Sequence, residues 1–283
     1  MAEILNGKEF AKKVRKQVKE DVAILKEKGV NPKLAVIMVG NNSSSEVYVR
    51  NKSKACEKTG IDFEEFLMQE NTEEKELLDL IEKLNNDDSI HGILLQSPVP
   101  KHIDINKAFR TISPKKDVDG FNPINVGNLS IGEDCFISCT PYGVIKLLEE
   151  YNIELEGKEA VVLGRSNIVG KPMAKCLLAK NATVTTCHSR TKDIDKVIKR
   201  ADIVIAAIGK SKFVKKEMIK DGAVVVDVGI NRLDDGSLVG DVDYEGVSVV
   251  ATYITPVPGG IGPMTIAMLV SNVVKAANLT LDN

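Results

Sequence analysis

The chain has 283 residues, 43% hydrophobic and 28% charged, with a formal net charge of −2. That balance suits a globular protein with one large or two modest domains and excludes bulk attraction to nucleic acid or to an anionic membrane. No apolar run approaches the roughly 20 residues of a membrane span, and MAEILNGKEF lacks the apolar core of a secretory signal.

These features lead us to expect a cytoplasmic protein. The five cysteines form no CxxC pair and the three histidines stand apart, so no metal site is expected. Helical and strand-like segments alternate, which predicts an α/β architecture with parallel sheets. A helix runs from Asn6-Gly7 to about Gly29, followed by the apolar strand KLAVIMV, the polar turn GNNSSS and a helix over about 45–58. In that helix Tyr48 and Lys52 stand four apart and share a face. So short a motif fits an ordinary surface pair as well as a reactive one. A lysine becomes a base near neutral pH when burial or a neighbouring cation lowers its pKa, and Arg50 and Lys54 are cations nearby in sequence.

IDFEEFL reads as a second strand, TEEKELLDLIEKLN as a helix, and HGILLQ as a third strand that stops at SPVP. Gln96 then emerges at the carboxyl edge of a parallel sheet, where α/β proteins bind ligands, or is simply a polar strand terminus. The stretch KKDVDGFNPINVGNLSIGEDCF reads as a connection. Within it Asp119 lies in a glycine-containing turn. Its carboxylate serves that turn or accepts hydrogen bonds from a heterocycle bearing an amino group and a ring N–H. CTPYGVIKLLEEYN is a helix with Thr140 as N-cap and Pro141 at its first position.

The second half alternates again: EAVVLG, ATVTTCH, DIVIAAIG and AVVVDVG as strands, GKPMAKCLLAK and TKDIDKVIKRA as helices. This is a doubly wound, Rossmann-like pattern over about 140–255. Gly164 to Pro172 joins a strand to a helix. Its glycines let backbone N–H groups approach a phosphate, although a plain strand–helix turn has the same look. It is not a P-loop, because five residues separate the glycines and Pro172 stands where Ser or Thr would bind magnesium. The next strand ends CHSRT, without the carboxylate that NAD-binding folds use for the ribose 2′-hydroxyl. Arg165, Ser189 and Arg190 suit a 2′-phosphate instead, which favours NADP over NAD; solvated loop cations are the plainer reading. Strand-like SVVATYI leads into ITPVPGGIGPMT, where three prolines and three glycines crowd twelve residues before a final helix. That helix is expected to pack back on the first domain.

YVRNKSKA, LLQSPVP, KDVDGF, GRSNIVGKPMA and ITPVPGGIGPMT occur in the order and spacing of one family. Over essentially its whole length the chain resembles bifunctional methylenetetrahydrofolate dehydrogenase/methenyltetrahydrofolate cyclohydrolases. The resemblance implies a folate-binding catalytic domain over 1–139, a Rossmann-like NADP-binding domain over 140–264, and a C-terminal helix over 265–283. It implies NADP-dependent oxidation of 5,10-methylenetetrahydrofolate, hydrolysis of the methenyl product to 10-formyltetrahydrofolate, and a place in one-carbon metabolism and purine biosynthesis.

By motif, Lys52 matches the catalytic lysine, Tyr48 its partner beside the substrate, Gln96 the glutamine that tunes the lysine, and Asp119 the carboxylate that grips the pterin. Gly164, Arg165, Ser166, Gly170, Ser189, Arg190 and Ile230 are the implied cofactor contacts, and Pro258, Gly259 and Gly260 the implied contacts to substrate. Homodimers paired through the nucleotide domain are implied too. Ser97 replaces a leucine and Asn42-Ser43 an Asp-Pro common in the family. A monofunctional NADP dehydrogenase, including shikimate-dehydrogenase-like proteins, is the competing enzyme reading. A folate- or NADP-binding regulator is the non-enzyme reading, which leaves the lysine without a use.

Overall fold

The computed structural model describes residues 1–281, without the side chains of Ser43 and Ser44. The departure at Ser43 thus lies outside the described side chains. In chain order the elements are β1 (Glu3–Ile4), α1 (Gly7–Glu27), β2 (Lys33–Val39), α2 (Ser43–Thr59), β3 (Asp62–Met68), α3 (Glu74–Asn85), β4 (Gly92–Leu95), α4 (Ile105–Thr111), α5 (Pro123–Ile131) and α6 (Cys139–Glu150). There follow β5 (Glu159–Leu163), α7 (Gly170–Leu178), β6 (Thr183–Cys187), α8 (Ile194–Lys199), β7 (Ile203–Ala206), β8 (Val224–Asp227), β9 (Asn231–Arg232), β10 (Leu238–Val239), α9 (Tyr244–Val247), β11 (Tyr253–Ile254) and α10 (Ile261–Asn278). The chain divides into two compact units. One holds Met1–Ala11 and Thr140–Thr265, the other Lys12–Cys139 and the chain from Ile266 onward.

The second of these units is built on a three-stranded parallel sheet in the order β3-β2-β4. β2 is central and β4 flanks it, and the residues of both are buried nearly throughout, which is why their sequences are continuous apolar runs rather than alternating ones. Leu77, Ile81 and Leu84 of α3, at helical spacing, pack on Ile37, Ile93 and Leu95. α10 supplies the C-terminal part of this unit, as expected: the buried Asn272 Nδ2 donates to Val118 O (2.8 Å) and Ile137 O (3.2 Å).

The first unit carries a six-stranded sheet, β1-β11-β8-β7-β5-β6, with every neighbouring pair parallel. From β5 the chain steps to β6 on one side and then to β7 on the other. The switch point of this doubly wound sheet therefore lies between the carboxyl ends of β5 and β7. The N-terminal β1 belongs to this sheet, beside β11.

Three expectations need correction. The stretch read wholly as a connection contains α5: Asn122 Oδ1 accepts the Ile124 N–H, Pro123 opens the helix, and Gly132 closes it at φ 81°. SVVATYI forms only the two-residue β11, because α9 turns the chain just before it. Thr140 is not an N-cap; the helix already includes Cys139, and the Thr140 hydroxyl pairs with Thr265 Oγ1 at 3.0 Å.

Candidate active site

In the three-stranded unit, α2 presents Ser45, Tyr48, Lys52 and Cys56 at helical spacing on one face. Lys52 Nζ donates to Gln96 Oε1 at 2.9 Å. The buried glutamine cannot simply turn its amide over, because Nε2 donates to Ser97 O at 2.7 Å and its backbone N–H to Ile37 O at 2.8 Å. An acceptor is thereby fixed against the lysine. Burial lowers the Lys52 pKa, opposed by the nearby Asp119 carboxylate and the Cys139 and Cys56 thiols. Arg50 and Lys54 are exposed and play no part in this shift; of the two causes expected for it, burial acts and a neighbouring cation does not. Tyr48 is 45% exposed, its ring open to a ligand.

Asp119 faces the same site. Burial raises its pKa, while Lys52 and a hydrogen bond with Cys139 lower it. Lysine and carboxylate are thus both moved toward their neutral forms by the desolvation they share. The turn that carries Asp119 is held from both flanks. Asp117, 2% exposed, accepts from Asn122 N (2.7 Å), Asn125 Nδ2 (2.9 Å) and Phe121 N (3.1 Å). Burial outweighs these bonds and pushes its pKa up to about 6. Gly120 follows at φ 70°, where a Cβ would lie 2.6 Å from Phe136 O. On the other flank, Asn272 ties Val118 to Ile137, and the Cys139 thiol donates to Val118 O at 3.4 Å.

The sequence reading missed Ser45, Asp117, Cys139 and Asn272. Ser45 was legible, one helical turn before Tyr48 on the same face. Its Oγ is the one buried side-chain oxygen or nitrogen without a hydrogen-bond partner among the described residues. Asn272 lies more than 150 residues from Val118, and no local pattern announces the contact.

In the six-stranded unit, Leu163 of β5 is in register with Cys187 of β6, so the loops after them leave the sheet side by side. Gly164 sits at φ 115°, with room for no Cβ: Ala207 O would be 2.2 Å away. At Gly170 a Cβ would lie 2.3 Å from Gly164 O. Both glycines are therefore required for packing the loop, whatever it binds. Ser166 Oγ accepts from Val169 N (3.2 Å) and Gly170 N (3.3 Å), shaping the entry to α7. Arg165, Ser189 and Arg190 are exposed along this edge. The Ser189–Arg190 turn is fixed by His188 N donating to Thr191 Oγ1 at 2.9 Å and Arg190 N to His188 Nδ1 at 3.2 Å.

Ile230 is 47% exposed after β8 and reaches Gly262. The Pro258–Gly260 loop is pinned by its own backbone. Lys8 N donates to Gly259 O, Gly260 N donates to Pro256 O (both 2.8 Å), and Gly7 packs against the Gly260 carbonyl.

Taken singly, the two units define a class: a doubly wound dinucleotide-binding sheet, joined in one chain to a unit holding a desolvated lysine between an amide and a carboxylate. The chain belongs to the tetrahydrofolate dehydrogenase/cyclohydrolase family. Its catalytic-domain model matches residues 5–119 and its NAD(P)-binding-domain model residues 138–281. The bifunctional protein FolD of Acetivibrio thermocellus is 58% identical over 278 residues, 98% of each chain. The crystal structure of the bifunctional FolD methylenetetrahydrofolate dehydrogenase/cyclohydrolase from Campylobacter jejuni matches with a TM-score of 0.98 at 51% identity, covering 99% of this chain and 100% of that one. That of the Trypanosoma brucei enzyme, complexed with NADP cofactor and inhibitor, matches with a TM-score of 0.95 at 37% identity, covering 100% and 99%.

Proposed function

We propose that this protein oxidises 5,10-methylenetetrahydrofolate with NADP and hydrolyses the resulting 5,10-methenyltetrahydrofolate to 10-formyltetrahydrofolate. The observation that carries this reading is the half-buried Lys52, bonded to Gln96 Oε1 and with its pKa lowered by desolvation. A permanently charged ammonium would be repelled by the methenyl cation. A neutral amine instead takes a proton from the attacking water as its oxygen bonds to the methenyl carbon. It returns that proton to the ring nitrogen as the C–N bond breaks, while the remaining hydroxyl proton leaves to solvent and the carbon stays on the other nitrogen as the formyl group.

Asp119 grips the pterin through its amino group and ring N–H, and Tyr48 lies along the substrate. NADP accepts a hydride from the methylene carbon, a step that needs orientation rather than a proton acceptor. The residues present fit that cofactor. The strand end after β6 offers Ser189 and Arg190 and no carboxylate, and Arg165 leaves the adjacent strand end.

Gly164, Ser166, Gly170 and Ile230 form the rest of the cofactor surface, and Pro258, Gly259 and Gly260 serve the substrate. The protein works in one-carbon metabolism and supplies purine biosynthesis. No helix among the described residues is long and apolar enough to cross a membrane, in keeping with a cytoplasmic enzyme. The edge strand β6 leaves backbone groups unpaired on one side, which supports a homodimer through this unit.

The test is spectrophotometric. Purified protein is given methylenetetrahydrofolate with NADP or NAD, and methenyl decay is then followed without cofactor. Both reactions are expected, with higher kcat/KM for NADP. Absence of the second reaction would leave a monofunctional dehydrogenase.

A further inference from the structure

We infer that Asp241, working with Asp227, is a positioning residue for NADP: the buried pair sets the loops that wall the dinucleotide crevice on its β7 side. The inference rests on the cofactor reading above.

The crevice at the switch point has two walls. One is the Gly164–Gly170 loop after β5. The other is the loop after β7, whose Ala207 carbonyl packs directly on Gly164. The second wall is gripped by one side chain. Asp241, fully buried, accepts from three successive backbone N–H groups, those of Ile208 (2.6 Å), Gly209 (2.9 Å) and Lys210 (2.8 Å). Successive N–H groups converging on one point form an anion nest. Here the chain fills that nest with its own carboxylate. Asn231 Nδ2 donates to the same carboxylate at 2.9 Å.

Asp227, 4% exposed, does the same for the neighbouring loops. It accepts from Gly229 N (2.9 Å), Asp241 N (2.9 Å) and Val242 N (2.8 Å), and its own N–H donates to Thr255 Oγ1 at 2.7 Å. Ile230 is therefore held on both sides, Gly229 by Asp227 and Asn231 by Asp241. Thr255 opens the segment that leads to Pro258–Gly260.

The glycines of DVG and VGD complete the arrangement reciprocally. A Cβ on Gly240 would fall 1.8 Å from Asp227 Oδ2, and one on Gly229 would fall 2.3 Å from the Asp241 carboxyl carbon. Burying two carboxylates against neutral N–H donors is a costly way to join loops when apolar packing would do. What it secures is the direction of backbone groups along a ligand-binding edge.

The experiment is full steady-state kinetics of the full-length Asp241→Asn variant, with NADP binding measured by calorimetry. An amide nitrogen then faces the nest donors. KM and Kd for NADP are expected to rise about tenfold or more, as for loss of hydrogen bonds to a charged group. At saturating NADP, kcat should stay within about threefold, and methenyl hydrolysis without NADP within about twofold.

An unchanged NADP KM, or an equal fall of both activities in a folded variant, overturns the inference. If the variant does not fold, Asn231→Ala decides: it removes one donor to Asp241, a threefold or larger rise in NADP KM supports the assignment, and no rise overturns it. Failure of the wild type to use NADP would sink the cofactor reading itself.

Discussion

At the scale of single residues, Lys52 separates the two proposed activities. Lys52→Met keeps the length of the side chain and removes the base. Methenyl hydrolysis is expected to fall by about 10²–10⁴-fold, the usual worth of general-base help, while folate and NADP binding persist. Stopped-flow hydrolysis by the folded variant measures this. Because burial lowers the Lys52 pKa and the neutral amine is the proposed active form, wild-type hydrolysis should rise with pH through an inflection below the ordinary lysine value. The methionine variant should lose that inflection.

On the role proposed for Asp119, Asp119→Asn places an N–H₂ where a pterin donor is accepted. The KM for methylenetetrahydrofolate should rise and the NADP Kd stay unchanged, as calorimetry with each ligand would show. Arg190→Ala should cost NADP binding about 1.5–3 kcal/mol if its guanidinium holds the 2′-phosphate, and leave NAD binding unaffected. Competition titrations with the two dinucleotides decide the point.

The residues behind these predictions were legible because each stands in a motif with its own chemistry. Which of the two expected causes shifts the lysine was not. Arg50 and Lys54 are close in sequence, but a helix turns them toward solvent, and desolvation arises from packing that no local pattern encodes. Asp117 was hidden in the same way, beside the more suggestive Asp119.

At the scale of elements, apolar runs located the strands because parallel strands are buried on both faces. α5 escaped although its signals were present: Asn122-Pro123 at the start and Gly132 at the end. In PINVGNLSI the buried residue is Asn125 while Ile124, Val126 and Ile131 are exposed, so no apolar helical period showed. Thr140-Pro141 had the residue types of a helix start, but the hydroxyl is used across the unit by Thr265.

The α5 region also carries a pH-dependent term. Asp117 has its pKa raised to about 6 by burial. A carboxyl whose folded pKa lies above its unfolded value binds protons more tightly when folded. It therefore adds stability as pH falls through about 6, fully gained below about 4. Relative to Asp117→Asn, the wild type should gain roughly 2–3 kcal/mol between pH 7.5 and pH 4. Urea unfolding of both proteins across that range measures the difference, and a gap that stays constant or moves the other way would exclude this titration.

At the scale of the whole molecule, the chain passes between units at Ala11/Lys12, Cys139/Thr140 and Thr265/Ile266, each time within a helix: at the first residue of α6, and in the interior of α1 and α10. Melting either helix damages both units, so unfolding should be a single transition. The sequence contains no tryptophan, which makes the test direct. Phe66→Trp reports the three-stranded unit and Phe213→Trp the six-stranded one, and their urea midpoints should coincide.

The same interleaving bears on the order in which a ribosome delivers the parts. Lys12–Cys139 emerges early, yet its unit still needs α10 from Ile266 onward, with the Asn272 amide that ties Val118 to Ile137. The other unit needs only the first eleven residues and the stretch that ends at Thr265. The common rule that the N-terminal domain folds first during synthesis is thereby reversed. The six-stranded unit is complete while the three-stranded unit, translated mostly before it, still waits for its last helix.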